Sequence, residues 1–261
     1  MSLDLFSILK DWPFEPGHIK ARIIEGDDGE PKIQVRLDLG MIQMAMEGRP
    51  DGQRPNGYGS YLEYYESKLD RSEIEGGEAG AEVVEGFSLS SEDCRLLREE
   101  AAQYYHRYVA LMVLEEYEGV VRDTTRNLRV MELCAAHGET ESDRTGLEQF
   151  RAYVTMMRAR AMASLAIKQN EPRAAVHALD EGLTALRQHF SDRGQAQMFD
   201  SSSEAEMLKG MRDALVPKLP VSQGSELRRR LQRAIEQENY ELAAILRDEI
   251  KNLKDAGPRA T

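Results

Sequence analysis

Chemistry in a protein needs nucleophiles, acids and bases, or metal ligands gathered at workable spacing, and this chain offers few such sets. Cys134-Ala-Ala-His137 is the nearest to a metal half-site. A structural zinc takes about four ligands, and no second pair is visible, so the pair reads as an ordinary histidine at a helix end. His106 sits in Tyr104-Tyr-His-Arg-Tyr108, where packing beside aromatic rings is the simpler account, and His177 and His189 are isolated. Glu115, Glu116, Glu118 and Asp123 supply carboxylates with no histidine at metal spacing. Met41, Met44 and Met46 alternate as a strand would set them, which suits core filling rather than ligation. Arg49 and Arg54 lie in a Pro/Gly loop and could cradle an anion, against the plainer reading of a solvated loop. No residue is assigned to catalysis, to a cofactor or to a metal, and the expectation is a chain that is not an enzyme.

Composition narrows the class further. The 261 residues carry a formal charge of −12, with 41% hydrophobic and 31% charged residues. That charge argues against wrapping bare nucleic acid, which needs cations to neutralise phosphates. No apolar run reaches the ~18 residues of a membrane span. The start, Met1-Ser-Leu-Asp-Leu-Phe, lacks a basic run before an apolar core, so no secretory signal is expected. Two cysteines, Cys94 and Cys134, cannot build a disulfide framework, and the chain reads as cytoplasmic.

The elements that would position any site follow from periodicity. Five of the nine prolines fall in the first ~55 residues, where few long helices survive. Ile33, Val35, Leu37 and Leu39 alternate with polar residues, and Ile42, Met44 and Met46 continue in the opposite phase after Gly40. The phase change demands a bulge or tight turn there, and the expectation is a small antiparallel sheet over roughly residues 17–47 with one buried face. Tyr58, Tyr61, Leu62, Tyr65 and Leu69 predict a short helix, followed by an acidic, Gly-rich linker. Helices are predicted over about 91–113, 116–136, 146–168 and 172–191, and from a cap at 201–204 to about 215. Ser90 through Asp93 offers the first cap, and Ala159, Ala161, Ala163, Ala174, Ala175 and Ala178 permit close helix approach. Leu114-Glu-Glu-Tyr-Glu-Gly and Lys168-Gln-Asn-Glu-Pro stand at corresponding points of two helix pairs. This region resembles tetratricopeptide-type hairpins, although the pairs are spaced too far apart and the Trp–Leu–Gly–Tyr signature is missing. The fold class is therefore α+β, mostly α. Its expected parts are a β-rich N-terminal domain (1–70), a linker (71–87), a tetratricopeptide-like helical-hairpin domain (88–216) and a final helix pair (222–255).

The final pair carries the most specific pattern. Leu227, Leu231, Ala234 and Ile235 share one helix face; Glu238-Asn239 makes a break; Ala243, Leu246, Ile250 and Leu253 share another. That pattern predicts an antiparallel helix hairpin. Together with Tyr240, Glu241, Ala244, Arg247 and Asp248, these residues resemble the UVR motif shared by UvrB and UvrC of bacterial nucleotide excision repair. Leu242 and Ile245 are apolar yet point away from the hairpin seam, so either a second helix pair or the chain's own helical region must cover them. Eight cations against seven anions over 222–261 give this segment +1 and leave −13 for the rest. Arg228-Arg-Arg230 reads as a solvated helix face.

The resemblance implies a bacterial protein whose last module pairs with a UVR-bearing protein or with itself, with a link to DNA repair. It puts the partner-binding residues at Leu231, Tyr240, Leu242, Ile245, Arg247 and Asp248. No phosphate-binding Gly-x-x-x-x-Gly-Lys-Ser/Thr loop occurs, so the UvrB helicase engine is missing. No Gly-Ile-Tyr motif of the UvrC nuclease occurs, nor the Cys-x-x-Cys pairs of the zinc-binding kinase activators that share the motif. Other readings that stay open are a stress adaptor for a kinase or protease system, a self-dimer, and a ligand binder built on the Arg49–Arg54 loop and the Tyr-rich helices.

Overall fold

The computed structural model describes residues 4–78, 87–216, 231–233, 235–236 and 247. The chain divides into two compact units, Met1–Ala214 and Leu215–Thr261. The first is mostly helical with a small antiparallel sheet near its start, as the alternation and periodicity predict.

A five-residue helix α1 (Leu5–Leu9), absent from the periodicity reading, is capped by Asp4. Strands β1 (Ala21–Glu25), β2 (Pro31–Arg36) and β3 (Met41–Ala45) follow in the order β1-β2-β3. The phase change becomes a tight turn in which Leu37 N–H donates to Gly40 O at 2.9 Å. Ile33 consequently pairs with Met44, and Val35 with Ile42. Ile33 is fully buried and Met44 nearly so. Leu37 and Leu39 lie outside the strand, 42% and 91% exposed, because the turn at 37–40 consumes them. The opposite face is covered too. Arg22 donates to Gln34 and Gln34 to Gln43, both at 2.8 Å, and the Arg22 guanidinium stacks 4.1 Å over Trp12.

Helix α2 (Tyr61–Glu78) runs into the stretch read as linker. Its first turns are anchored by Leu62 and Tyr65 in the core, and Arg71 ties back to Tyr58 and Ser67. Helix α3 (Ser91–Val113) begins at the expected capping box, with Ser90 and Asp93 bonding each other's backbone. Helix α4 (Tyr117–His137), the short α5 (Glu141–Thr145), α6 (Arg151–Lys168), α7 (Pro172–Asp192) and α8 (Ser203–Leu215) complete the unit. The gap between the helices expected to end near 136 and begin near 146 contains α5, and residues 148–150 form a single 3-10 turn before α6.

The two equivalent corners seen in sequence are one device repeated. After α3, Glu115 adopts φ 60°, and Glu116 N–H reaches back to Leu111 O at 2.9 Å. After α6, Asn170 adopts φ 61°, and Glu171 N–H reaches Ala166 O at 2.8 Å. This is the six-to-one closure that satisfies the last helical carbonyls and reverses the chain. Successive helices thus pack as neighbours: α4 lies against both α3 and α6, and α7 against α6. Small residues set the α6–α7 distance. A Cβ added at Gly182 would stand 2.4 Å from Ala159 Cβ and 3.0 Å from Leu208 Cδ1 of α8. Ala159, Ala161, Ala163, Ala175 and Ala178 are buried as the pattern requires, whereas Ala174 is exposed.

Candidate functional site

Three places bear on function: the C-terminal segment, a cluster of buried charges, and an aromatic cleft. In the first, Leu231 is helical and half-buried, Ile235 is 47% exposed, and Gln232 donates to Glu236 one turn on at 3.1 Å. Arg247 is helical and exposed. Tyr240, Leu242, Ile245 and Asp248, the remaining expected partner-binding residues, lie outside the described residues.

The charge cluster is built where the loop after β3 meets α3 and α4. On α3, Glu100 and Arg107 lie in the same stripe as Leu97, Tyr104 and Leu111, and both charged side chains are fully buried. On α4, Asp123, Arg126 and Asn127 face them, all buried. Arg107 grips Asp123 with two parallel bonds, Nε to Oδ2 at 2.7 Å and Nη2 to Oδ1 at 2.8 Å. Its remaining nitrogen, Nη1, donates to Ala45 O at 3.1 Å and Gly48 O at 2.8 Å. Arg122 binds the same Asp123 at 3.0 Å, the Met46 carbonyl at 3.0 Å, and the Glu47 carboxylate. Two arginines from the helices thereby hold three backbone carbonyls of the sheet's exit loop, with one carboxylate fixing both.

Glu100 does the corresponding work for α2. Its oxygens accept from Tyr61 N–H at 2.8 Å and Leu62 N–H at 3.4 Å, so a carboxylate from α3 caps the start of α2. Arg126 pairs with the same carboxylate, and Arg49 approaches it at 3.4 Å. Arg126 lies 4.0 Å over the Tyr104 ring and Arg49 5.0 Å over Tyr61. Burial first, then the neighbouring Arg49, brings Arg126 down to about 9, so it stays charged at neutral pH. Burial of Tyr104 raises its hydroxyl pKa. Arg49 is thus tucked against Glu100 and Tyr61, not solvated as its loop position suggests, while Arg54 is exposed. The polar cleft of about 410 Å³ beside this cluster is walled by Arg107, Arg122, Arg126 and Arg129. Each of the four is already engaged by a carboxylate, Arg129 by Glu66. The cluster therefore clamps the N-terminal loop and α2 onto α3 and α4, and that is its chemistry.

The histidines and cysteines are accounted for structurally. His137 stacks edge-on against Phe87 at 5.1 Å, and its carbonyl accepts from Leu89 N–H at 2.8 Å. Cys134 is buried beside Cys94, and burial pushes its thiol up to about 12, far from a reactive thiolate. His106 packs on Tyr105, as expected of an aromatic neighbourhood, and Met44 fills the core. Tyr105 itself is 42% exposed. It forms one wall of a cleft between α3, α4 and the start of α6, lined also by Arg98, Tyr108, Phe150 and Tyr153. Sequence reading missed both the charge cluster and this cleft. The first had a signal, since charges at Glu100 and Arg107 interrupt an otherwise apolar stripe.

The family described as the UvrB/uvrC motif matches residues 225–256. No curated protein and no solved structure matches the chain. The chain carries a UVR motif at its C-terminal end, and the match falls wholly within the second compact unit. Among the described residues, no helix is long and apolar enough to cross a membrane.

Proposed function

We propose that this chain is a non-enzymatic interaction protein whose UVR motif captures a partner through a second helix pair. The observation that carries this reading is the match over residues 225–256 in a unit that divides from the helical body. A hairpin of that length buries too little apolar surface to stand alone, so its free apolar positions call for a cover. Leu242 and Ile245 supply that surface, with Leu231 and Tyr240 beside it, and Arg247 and Asp248 set register by charge pairing. The partner is a protein carrying the same motif, which places the chain beside nucleotide excision repair, and it engages neither bare nucleic acid nor a membrane. The −13 charge outside residues 222–261 supports the exclusion of bare nucleic acid.

The test is capture of purified UvrB and UvrC by the immobilised full chain, with Leu242→Asp as the comparison. The expected result is retention by the wild-type chain and loss by the variant, with the melting curve of the body unchanged. Equal retention by both chains would refute the assignment of the surface, and capture of neither protein by the wild-type chain would refute the class of partner.

A further inference from the structure

The cleft between α3, α4 and the start of α6 has a volume of about 310 Å³, at the lower end of the ~300–1,000 Å³ that holds small molecules. Its existence follows from local sequence. Ala101 and Ala102 leave a gap on α3, and Tyr105 and Tyr108 one and two turns later wall it on that helix. Phe150 and Tyr153 close it from the far side. Tyr105 meets Tyr108 edge-on at 5.5 Å and Tyr153 at 6.2 Å, giving a box of rings.

Two polar groups distinguish this box from a packing defect. Tyr108 is 1% exposed, yet its hydroxyl makes no hydrogen bond to any described residue. That hydroxyl is not among the fully buried polar atoms left without a partner, so solvent reaches it and a ligand's acceptor can take the solvent's place. Arg98 stands at the rim with Nη1 3.4 Å from Asp143, and no described residue takes its Nε or Nη2. Ser91 and Thr140 hold Asp143 at Oδ2, each at 2.6 Å, so Asp143 meets Arg98 only through Oδ1 and leaves the other guanidinium nitrogens unengaged. An apolar, aromatic box with one free hydroxyl within and one partly free cation at its edge selects a flat apolar body bearing an anionic acceptor.

We propose that this cleft binds a small aromatic carboxylate. Its ring lies among Tyr105, Phe150 and Tyr153, and its carboxylate accepts from Tyr108 Oη and Arg98. This site is independent of the UVR motif and of any partner it takes.

The full chain is titrated with 2-naphthoate and with neutral naphthalene, with binding followed by calorimetry and ligand-observed NMR. Saturable binding of 2-naphthoate is expected, weakened about tenfold by Tyr108→Phe and by Arg98→Gln, as loss of a bond to a charged group implies. Naphthalene binding should change less than about twofold in either variant. Ala102→Trp, placed at an exposed position on the cleft wall, should abolish binding of both probes while the fold, read by circular dichroism, is retained. No saturable binding to the wild-type chain, or binding undiminished by Ala102→Trp, would overturn the site. Equal affinity for the two probes would overturn the assignment of the ligand as a carboxylate.

Discussion

The charge cluster and the aromatic cleft share helices α3 and α4 but end in opposite states. Around Arg107 and Asp123, the donors have found acceptors inside the protein: Arg107 gives two bonds to Asp123 and two to the Ala45 and Gly48 carbonyls, and Arg122 joins the same carboxylate. In the cleft, the Tyr108 hydroxyl and two Arg98 nitrogens have no partner among the described residues and are open to solvent, whereas the charge cluster keeps two nitrogens, Arg49 Nε and Arg126 Nε, buried without one. How closely carboxylates hold the cations, at 2.7 and 3.0 Å for Arg107 and Arg122 against 3.4 Å for Arg98, separates a structural clamp from a binding place, and charge density does not. Four arginines in one cleft invite an anion-site reading, but their carboxylates already hold them.

The sharpest way to break this comparison is to remove one side of the saturated cluster. Asp123→Ala leaves Arg107 buried and unpaired, which costs roughly 3–5 kcal/mol and should lower the melting temperature by about 10 °C. Replacing both partners with apolar residues, Arg107→Met with Asp123→Leu, should restore most of that stability in a denaturant titration. Failure of the double replacement to recover would show that the loop carbonyls of Ala45 and Gly48 need Arg107 specifically.

A smaller effect tests the frame both regions stand on. Gly182→Ala drives a methyl into Ala159, and overpacking of this kind costs ~1–3 kcal/mol. Ala159→Gly introduced beside it should relieve the clash, which thermal melts of the two variants would reveal.

A pH titration supplies a control outside both regions. Burial lowers the His189 pKa below 6.5, so the unfolded chain takes up the proton first as pH falls. Stability is therefore unaffected above the unfolded value, declines as pH drops below about 6.5, and levels off once the folded value is passed. His189→Gln should flatten that decline in melts taken from pH 7.5 to 5.

The smallest effect is expected in the cleft. Tyr108→Phe removes a hydroxyl that bonds no described residue, so stability should change by less than about 0.5 kcal/mol. A loss as large as that of Asp123→Ala would mean the hydroxyl is part of the structural frame after all.

What the sequence revealed tracks how local each determinant is. The Ser90–Asp93 capping box is written in four consecutive residues and was legible, as were the Gly40 phase change and the matched corners at Glu115 and Asn170. The extent of α2 past residue 70 was not, because the acidic, Gly-rich composition there argues for a linker while Leu69 and Arg71 hold the helix through contacts made elsewhere. Glu100 and Arg107 were readable in principle: each falls three residues after Leu97 or Tyr104, inside the buried stripe, where a charge needs a partner. The anchoring of Arg49 was not legible because its loop carries the prolines and glycines of a solvated turn, and Glu100 lies 51 residues away in sequence. The cleft was beyond sequence reading, since Phe150 and Tyr153 meet Tyr105 only through the packing of α6 against α4. The partner-binding residues rest on a motif spacing alone, and of them only Leu231 and Arg247 lie among the described residues.

The interaction function turns most directly on the mass of the chain in solution with and without residues beyond Val221, measured alone and mixed with a purified UVR-bearing protein. The full chain should form a complex of defined mass, and the chain ending at Val221 should keep the same melting transition yet remain unassembled. Assembly of the shortened chain to the same mass would place the interface in the helical body and contradict a role for the UVR motif in partner capture.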